Sequence, residues 1–302
     1  MAPGPESLSI LVVTRNRPEE LRETLKNIQQ QTFLYSQAIV VENGSDGSVV
    51  RSNAEFLATM PCTDHLVLDS NHGVWGGRNE ALRRATGDFL LEIDDDAVFE
   101  NDDAIDRAVT YLRKNPGVGI LAFRIINYHT RAITPQEYPF RDKRRDPERT
   151  GPCAWFIGAG HLIRREVIEQ VGLYRRFHPW GSEEQDLAMR AMDRNFEIHY
   201  FAGAKVLHKK SPRARVVDTL QFGRMAMKNR VKVALLNLPW YAVMTYFIIR
   251  GGQFSIKFRD PRIPLYALLD LWRDRGYIRA NRKPLQRETL QRLWSLRGPM
   301  FY

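Results

Sequence analysis

The sequence predicts an α/β fold: a doubly wound, mostly parallel sheet followed by a C-terminal helical extension. Three observations carry this. From Leu8 to about Ile126 short apolar runs alternate with helical periods, the pattern of strand and helix taking turns in a parallel sheet. A second turn-rich stretch follows to about residue 212, and the last ninety or so residues are helical in pattern, basic and aromatic, with no internal repeat. At 302 residues, 43% apolar and 26% charged, the chain is long enough for a sizeable core, which excludes a collagen-like, mucin-like or wholly disordered protein.

The elements follow in order. Leu8–Val13 reads as a buried strand. After Thr14-Arg-Asn-Arg17, Pro18 with Glu19 and Glu20 opens a helix that runs to about Gln31, because proline suits the first turn and acids complement the helix dipole. Ala38–Val41 is a second strand, ended by the turn-rich loop Glu42–Gly47, and Leu66–Leu68 is a third. A glycine-rich turn at Gly73–Gly77 precedes a helix over Arg78–Ala85, stopped at Thr86-Gly87, and Phe89–Ile93 is a fourth strand. Arg141–Arg149, with five basic and three acidic residues, reads as an exposed, mobile loop. Beyond it lie Phe156-Ile-Gly-Ala-Gly160, a short helix near Arg165–Val171, a loop through Pro179-Trp-Gly181, a helix around Glu184–Arg194 and a strand at Glu197–Phe201.

Forty-five Lys and Arg against 35 Asp and Glu give a formal +10, which attracts polyanions: nucleic acid, anionic lipid or a phosphate-bearing small molecule. Two distant cysteines, Cys62 and Cys153, are too few for a disulfide framework and lack zinc-site spacing, so a reducing compartment is expected. The N-terminal residues show no basic n-region or apolar h-region, which places the protein in the cytoplasm. Val233–Ile249 is apolar, but Asn237 and Pro239 interrupt it, and its 17 residues fall short of the roughly 20 that a spanning helix needs.

Asp94-Asp95-Asp96 is the most informative feature. In an open α/β sheet ligands bind at the carboxyl ends of strands, and carboxylates crowded this closely are relieved by a divalent cation with a phosphate beyond it. The same triplet also suits the first turn of a helix. The segments after the first two strands, Thr14–Arg17 and Glu42–Asp46, supply hydroxyls, amides and carboxylates for a base and ribose. Arg78, read as opening its helix, is placed to pair with phosphate.

With these residues in view, the chain resembles the family 2 glycosyltransferases of the nucleotide-sugar-dependent GT-A fold class, in a rhamnosyltransferase-like bacterial branch. The matching pieces are Thr14–Arg17, Val40-Val-Glu-Asn-Gly-Ser-Asp46, Asn71-His-Gly73 with Gly77-Arg-Asn79, and Gly87–Asp96. In the second half they are Phe156–Gly160 before Ile163-Arg-Arg165, Trp180-Gly-Ser-Glu-Glu-Gln-Asp-Leu187, and Val206-Leu-His208. The likeness covers roughly residues 7 to 212. It departs at Glu183-Glu184, where many members have Glu-Asp.

The resemblance implies a nucleotide-sugar-binding half over residues 1–126, an acceptor-binding half over 127–212 and a helical extension over 213–302. It implies an inverting transfer from a nucleoside-diphosphate sugar to a hydroxyl on a sugar, lipid-linked or natural-product acceptor, with Mn²⁺ or Mg²⁺. Thr14, Arg17, Glu42, Asp46, Arg78, Asp94 and Asp95 would meet the donor, with Asp94 toward the ribose. Asp96 and His208 would hold the metal. Glu184 would be the base and Asp186 the reserve, although acids at that place also serve a helix's first turn. Aromatics interleaved with cations beyond Arg213 suit either an anionic membrane surface at the inner face of the membrane or a packed helical extension with a charged face.

Two other functions stay in view. A nucleotidyltransferase also uses paired aspartates and a metal but normally begins with a glycine- and lysine-rich phosphate loop, and Thr14-Arg-Asn-Arg-Pro18 has no glycine. A nucleic-acid-binding protein accounts for the +10, but no helix-turn-helix, zinc-finger or RNP-type signature is present, so no nucleic-acid partner is expected.

Overall fold

A computed structural model of the chain describes residues 7–177, 181–210 and 219–298. Its first half builds four parallel strands, β1 (Leu8–Thr14), β2 (Gln37–Asn43), β3 (Thr63–Leu68) and β4 (Phe89–Ile93). They are linked by α1 (Pro18–Gln29), α2 (Gly47–Leu57) and α3 (Gly73–Arg84). β5 (Ala97–Phe99) and α4 (Ala104–Lys114) lead into β6 (Val118–Asn127). Then come β7 (Gly151–Pro152), β8 (Gly160–Arg164), α5 (Arg165–Val171), α6 (Glu183–Met192) and β9 (Glu197–His208).

One sheet runs β3-β2-β1-β4-β8-β6-β9-β5, with β7 pairing β9. After β1 the chain moves outward to β2 and β3 and returns to β4 on the other side of β1. The carboxyl ends of β1 and β4 are therefore the switch point of a doubly wound sheet, where a crevice opens. β8 inserts antiparallel between β4 and β6, and β5 runs antiparallel to β9, so the parallel pairing is confined to β1–β4 and to β6 with β9.

The strands are apolar on both faces because helices cover both. Leu8, Ile10 and Val12 of β1 pack with Leu21, Leu25 and Ile28 of α1 and with Ile105, Val109 and Leu112 of α4. Leu11 looks the other way, into a core shared with α3, α6 and the C-terminal helices α7 (Thr219–Asn237), α8 (Trp240–Phe258), α9 (Ile263–Arg273), α10 (Arg275–Asn281) and α11 (Arg287–Ser295).

Several elements differ from the sequence expectation. The glycine-rich run at Gly73–Gly77 is helix, not turn. A Cβ at Gly77 would meet Val13 Cγ1 at 2.6 Å, so these glycines let α3 lie close on β1, and Arg78 sits in the second turn rather than at the start. The loop after β2 is short because α2 begins at Gly47, and the final strand extends from Glu197 through His208. The Arg141–Arg149 segment is mostly exposed as expected, yet it is anchored: Lys143 Nζ donates to the Tyr138 carbonyl at 2.9 Å, and the Arg145 guanidinium covers Phe140 at 4.0 Å. The expected loop at Pro179-Trp180 lies outside the described residues. Val233–Ile249 is broken between α7 and α8, and no helix among the described residues is long and apolar enough to cross a membrane.

α6 is fixed by a buried charge cluster. Asp186, fully buried, accepts from Arg175 Nη1 at 3.0 Å, Arg190 Nε at 2.8 Å and Asn237 Nδ2 at 2.8 Å. Burial opposes its ionisation, but Arg190 and Arg175 prevail and hold it below the ordinary aspartate range. This corrects the expectation of a reserve base: Asp186 is enclosed by cations and ties α6 to α7. Removing Asp186 leaves the partly buried Arg175 and Arg190 without their carboxylate, and breaking an ion cluster of this kind costs about 3–5 kcal/mol. Asp186→Ala is accordingly expected to melt on the order of 10 °C lower by differential scanning calorimetry, and an unchanged melting point would contradict this account.

Candidate active site

Thr14 and Glu42 are partners in the β1–β2 register, and Asp94 follows β4 directly, so the sheet brings these segments to one rim. The turn after β4 closes with the Ala97 N–H on the Asp94 carbonyl at 3.2 Å and feeds β5, not a helix. β5 pairs with the end of β9 so that Ala97 faces His208, which carries the histidine to the acidic turn from more than a hundred residues away.

Asp94, Asp96 and His208 each offer one ligand atom, and these atoms lie within 4.8 Å of one another. His208 Nε2 is 3.3 Å from Asp96 Oδ1 and 4.0 Å from Asp94 Oδ2. Two carboxylates and an imidazole suit a small divalent cation such as Mn²⁺ or Mg²⁺, so the residues present fit the expected metal. Asp94 thus joins this group, where the expectation was a place toward the ribose.

A residue the sequence did not single out completes this corner. Glu137 Oε1 lies 2.5 Å from His208 Nδ1, and its other oxygen takes Lys210 Nζ and the Thr134 hydroxyl, each at 2.6 Å. Burial raises the Glu137 pKa, but the hydrogen bonds from His208, Lys210 and Thr134 outweigh it and bring it down to about 2. An ionised Glu137 holds the proton on Nδ1 and turns Nε2 toward the aspartates. Glu137→Gln is expected to weaken Mn²⁺ binding by about 10–100-fold in a titration of the purified protein, and unaltered affinity would refute this orienting role.

Asp95 points the opposite way from its neighbours. Its Oδ2 accepts from the Thr14 hydroxyl at 2.7 Å and its Oδ1 from Arg17 Nη1 at 2.9 Å, with Thr14 and Asp95 buried and Arg17 only partly so. Burial pushes its pKa up to about 7 although Arg17 pulls it down. Glu42 is likewise enclosed, by Asn53 Nδ2 at 2.6 Å, the Ser45 hydroxyl and His65. Thr14, Asp95 and Glu42, expected to meet the donor, thus make hydrogen bonds within the rim. Asp46 is exposed at the start of α2, its N–H held by Asn16 Oδ1 at 2.8 Å, and Arg17 also approaches Asp96 at 3.4 Å.

Opposite the metal group, Arg78 is surrounded by acceptors. Nη1 donates to Glu184 Oε1 at 2.8 Å, Nη2 to the Gly158 carbonyl at 2.9 Å and to Asp94 Oδ1 at 3.3 Å, and Nε faces Glu92 Oε2 at 3.3 Å. Burial works against its charge, but Glu184 first, then Glu92 and Asp94, keep the guanidinium protonated. A Cβ at Gly158 would stand 2.2 Å from Glu184 Oε1 and 2.6 Å from Arg78 Nη2, so a side chain there would push the tips of this pair aside. Beneath, Glu92 also takes the Tyr174 hydroxyl at 3.0 Å and lies 3.4 Å from His161 Nε2. The signal for Glu92 was legible, since one acid interrupts the apolar run Phe89-Leu-Leu-Glu-Ile93; Glu137, Tyr174 and His161 carried none.

Glu184 retains some access to solvent at 17% side-chain exposure, whereas Glu183 is buried and its Oε2 has no hydrogen-bond partner among the described residues. Ser182 before them adopts a left-handed φ of +79°, which turns the chain into α6. Burial, then the charge of Glu184, pushes the Glu183 carboxyl from 4.5 up to about 8. The folded chain therefore holds a proton there that the unfolded chain releases, so this group's contribution to stability falls as pH rises from about 4.5 through about 8. The melting temperature of Glu183→Gln should depend less on pH across that window; parallel curves would show that Glu183 ionises normally.

Residues 9–172 match the family described as Glycosyl transferase family 2. An uncharacterized protein of Haemophilus influenzae is 30% identical over 173 residues, 55% of this chain and 91% of that protein. The O-antigen chain rhamnosyltransferase RfbN of Salmonella typhimurium is 23% identical over 211 residues, 67% of this chain and 66% of that protein. Among solved structures, the mannosyltransferase PcManGT from Pyrobaculum calidifontis, in complex with GDP-Man and Mn²⁺, superposes with a TM-score of 0.60 at 17% identity, covering 90% of this chain and 76% of that one. At that identity the likeness speaks for the fold.

Proposed function

Because the chain belongs to glycosyl transferase family 2, we propose that it moves a hexosyl or deoxyhexosyl group from a nucleoside-diphosphate sugar to an acceptor hydroxyl, with inversion and with a divalent metal. The observation that carries this reading is the meeting of Asp94, Asp96 and His208 with the Arg78–Glu184 pair at the β1/β4 switch point. Mn²⁺ or Mg²⁺ held by Asp94, Asp96 and His208 would supply positive charge for the departing diphosphate.

This chain's own residues do the rest. Asp46 and Arg17, which keep access to the rim, meet the donor, while Thr14, Asp95 and Glu42 hold the two β–α turns in shape. Glu184 accepts the acceptor's proton. As the acceptor oxygen bonds to the anomeric carbon, the bond from that carbon to the phosphate oxygen breaks and its electron pair leaves with the nucleoside diphosphate. Arg78 positions Glu184 and, through Asp94, couples it to the metal corner. With one base and no second nucleophile in the proposed chemistry, displacement is single and configuration inverts. The acceptor is a sugar, lipid-linked or natural-product hydroxyl, the setting is the cytoplasm, and nucleic acid is not a partner.

The test is a thermal-shift panel of UDP-, dTDP- and GDP-sugars with and without Mn²⁺, followed by NMR of the product. One nucleotide should stabilise the fold, more so with metal. Retention of the donor's anomeric configuration would overturn single displacement, and stabilisation by nucleoside triphosphates alone would favour nucleotidyl transfer.

A further inference from the structure

The C-terminal helices concentrate the charge of the chain. Residues 219–302 hold sixteen Lys and Arg against four Asp and Glu, whereas the rest of the chain holds 29 against 31. The +10 therefore belongs to this one layer, and the sheet that carries the site is close to neutral.

The same layer exposes two apolar rows. In α9, Ile263, Ala267 and Leu271 are buried, yet Leu265, Leu268, Leu269 and Trp272, spaced i, i+3, i+4 and i+7, are exposed on the other side. In α8, Val243, Tyr246 and Phe254 are buried, while Tyr241, Met244, Ile248 and Ile256 are between 59% and 81% exposed. No charged residue interrupts that outer row before Arg259. One buried stripe suffices to hold a helix on a globular core. A second stripe of large apolar side chains left in water marks an interaction surface.

The tryptophans of these two helices are paired with cations. Arg282 stands 4.0 Å over Trp240 and Arg275 stands 4.6 Å over Trp272, with both indoles more than half exposed. Such pairs suit the depth at which hydrocarbon gives way to headgroups, the ring on the apolar side and the guanidinium level with phosphate.

We propose that α8 and α9 rest on the surface of a bilayer containing anionic lipid, their outer rows seated at the boundary between headgroups and acyl chains. Charge decides between this occupant and a second copy of the chain. A self-complementary interface would set two strongly basic layers face to face, whereas an anionic bilayer neutralises them. Neither helix is long and apolar enough to cross the membrane, so both lie along it. The inference goes beyond the glycosyl-transfer reading and does not depend on it, since the partner is the lipid surface itself.

Cosedimentation of the full chain with vesicles tests this. With phosphatidylcholine vesicles containing phosphatidylglycerol at low salt the protein should pellet. With phosphatidylcholine alone, or at ~0.5 M salt, the bound fraction should fall about tenfold or more, because screening removes surface attraction. The double variant Ile248→Glu/Leu268→Glu changes exposed side chains only and should keep the parent's melting temperature while losing vesicle binding by a similar factor. Failure of the parent to pellet at low salt, or undiminished binding by the variant, overturns the proposal. So does light scattering that finds the parent dimeric and the variant monomeric, which would assign the face to a second copy.

Discussion

Replacing Asp96 with asparagine is expected to lower metal-dependent transfer by about a thousandfold or more, with the fold intact. Asparagine keeps the shape, and its one carbonyl oxygen can still receive either Arg17 or His208, which approach different oxygens of Asp96 at 3.4 Å and 3.3 Å in the parent. What it loses is one of two anionic ligands in a group of three. A metal that stabilises developing charge contributes several kcal/mol to the transition state, and about 4 kcal/mol is about a thousandfold in rate. The measurement is product formation against Mn²⁺ concentration, beside calorimetry to establish that the variant folds. The loss should appear together with weakened Mn²⁺ binding. Full turnover by Asp96→Asn in the presence of a chelator would remove the metal from the reaction.

The parts of this site that the sequence made legible are those where local pattern and fold rule coincide. Phe89–Ile93 is an apolar strand broken only by Glu92 and followed at once by three acids, and sheets place ligands at strand ends, so the acidic turn is legible in the sequence. Which acid faces the crevice could not be read, because it depends on the turn that closes Ala97 onto Asp94 and sends Asp95 inward to Thr14 and Arg17. Arg78 stands out in the sequence as the start of a helix, whereas it lies in the second turn of α3. Three glycines look like a turn until the packing of Gly77 against Val13 shows why a helix needs them. α2 is not legible in the sequence, because Gly47-Ser-Val-Val-Arg has no strong helix signal, with two β-branched residues in its first turn. Glu137 was out of reach altogether: it lies in a short turn at Pro135–Glu137, and its side chain meets His208 across 71 residues with no local motif to announce it. Asp186, two residues from Glu184 and so on a different side of α6, shows how one acidic stretch divides between structure and chemistry.

Glu184→Gln is expected to lower kcat by about a hundredfold to ten-thousandfold, the range over which positioned proton transfer acts, while the KM for the donor changes less than about threefold. The argument rests on what glutamine retains. Its carbonyl oxygen can accept from Arg78 Nη1 in place of Glu184 Oε1, so the Arg78 links to Gly158 and Asp94 persist and the rim keeps its form. It cannot take a proton from an acceptor hydroxyl. The neighbouring acid is poorly placed to substitute, because Glu183 is buried and carries its own proton up to about pH 8. A purely structural role for Glu184 would give the opposite split: a lower melting temperature from the lost charge pair with Arg78, and a kcat close to that of the parent. Steady-state kinetics with calorimetry on the same preparation separates the two, and a kcat within about threefold of the parent would exclude Glu184 as the base.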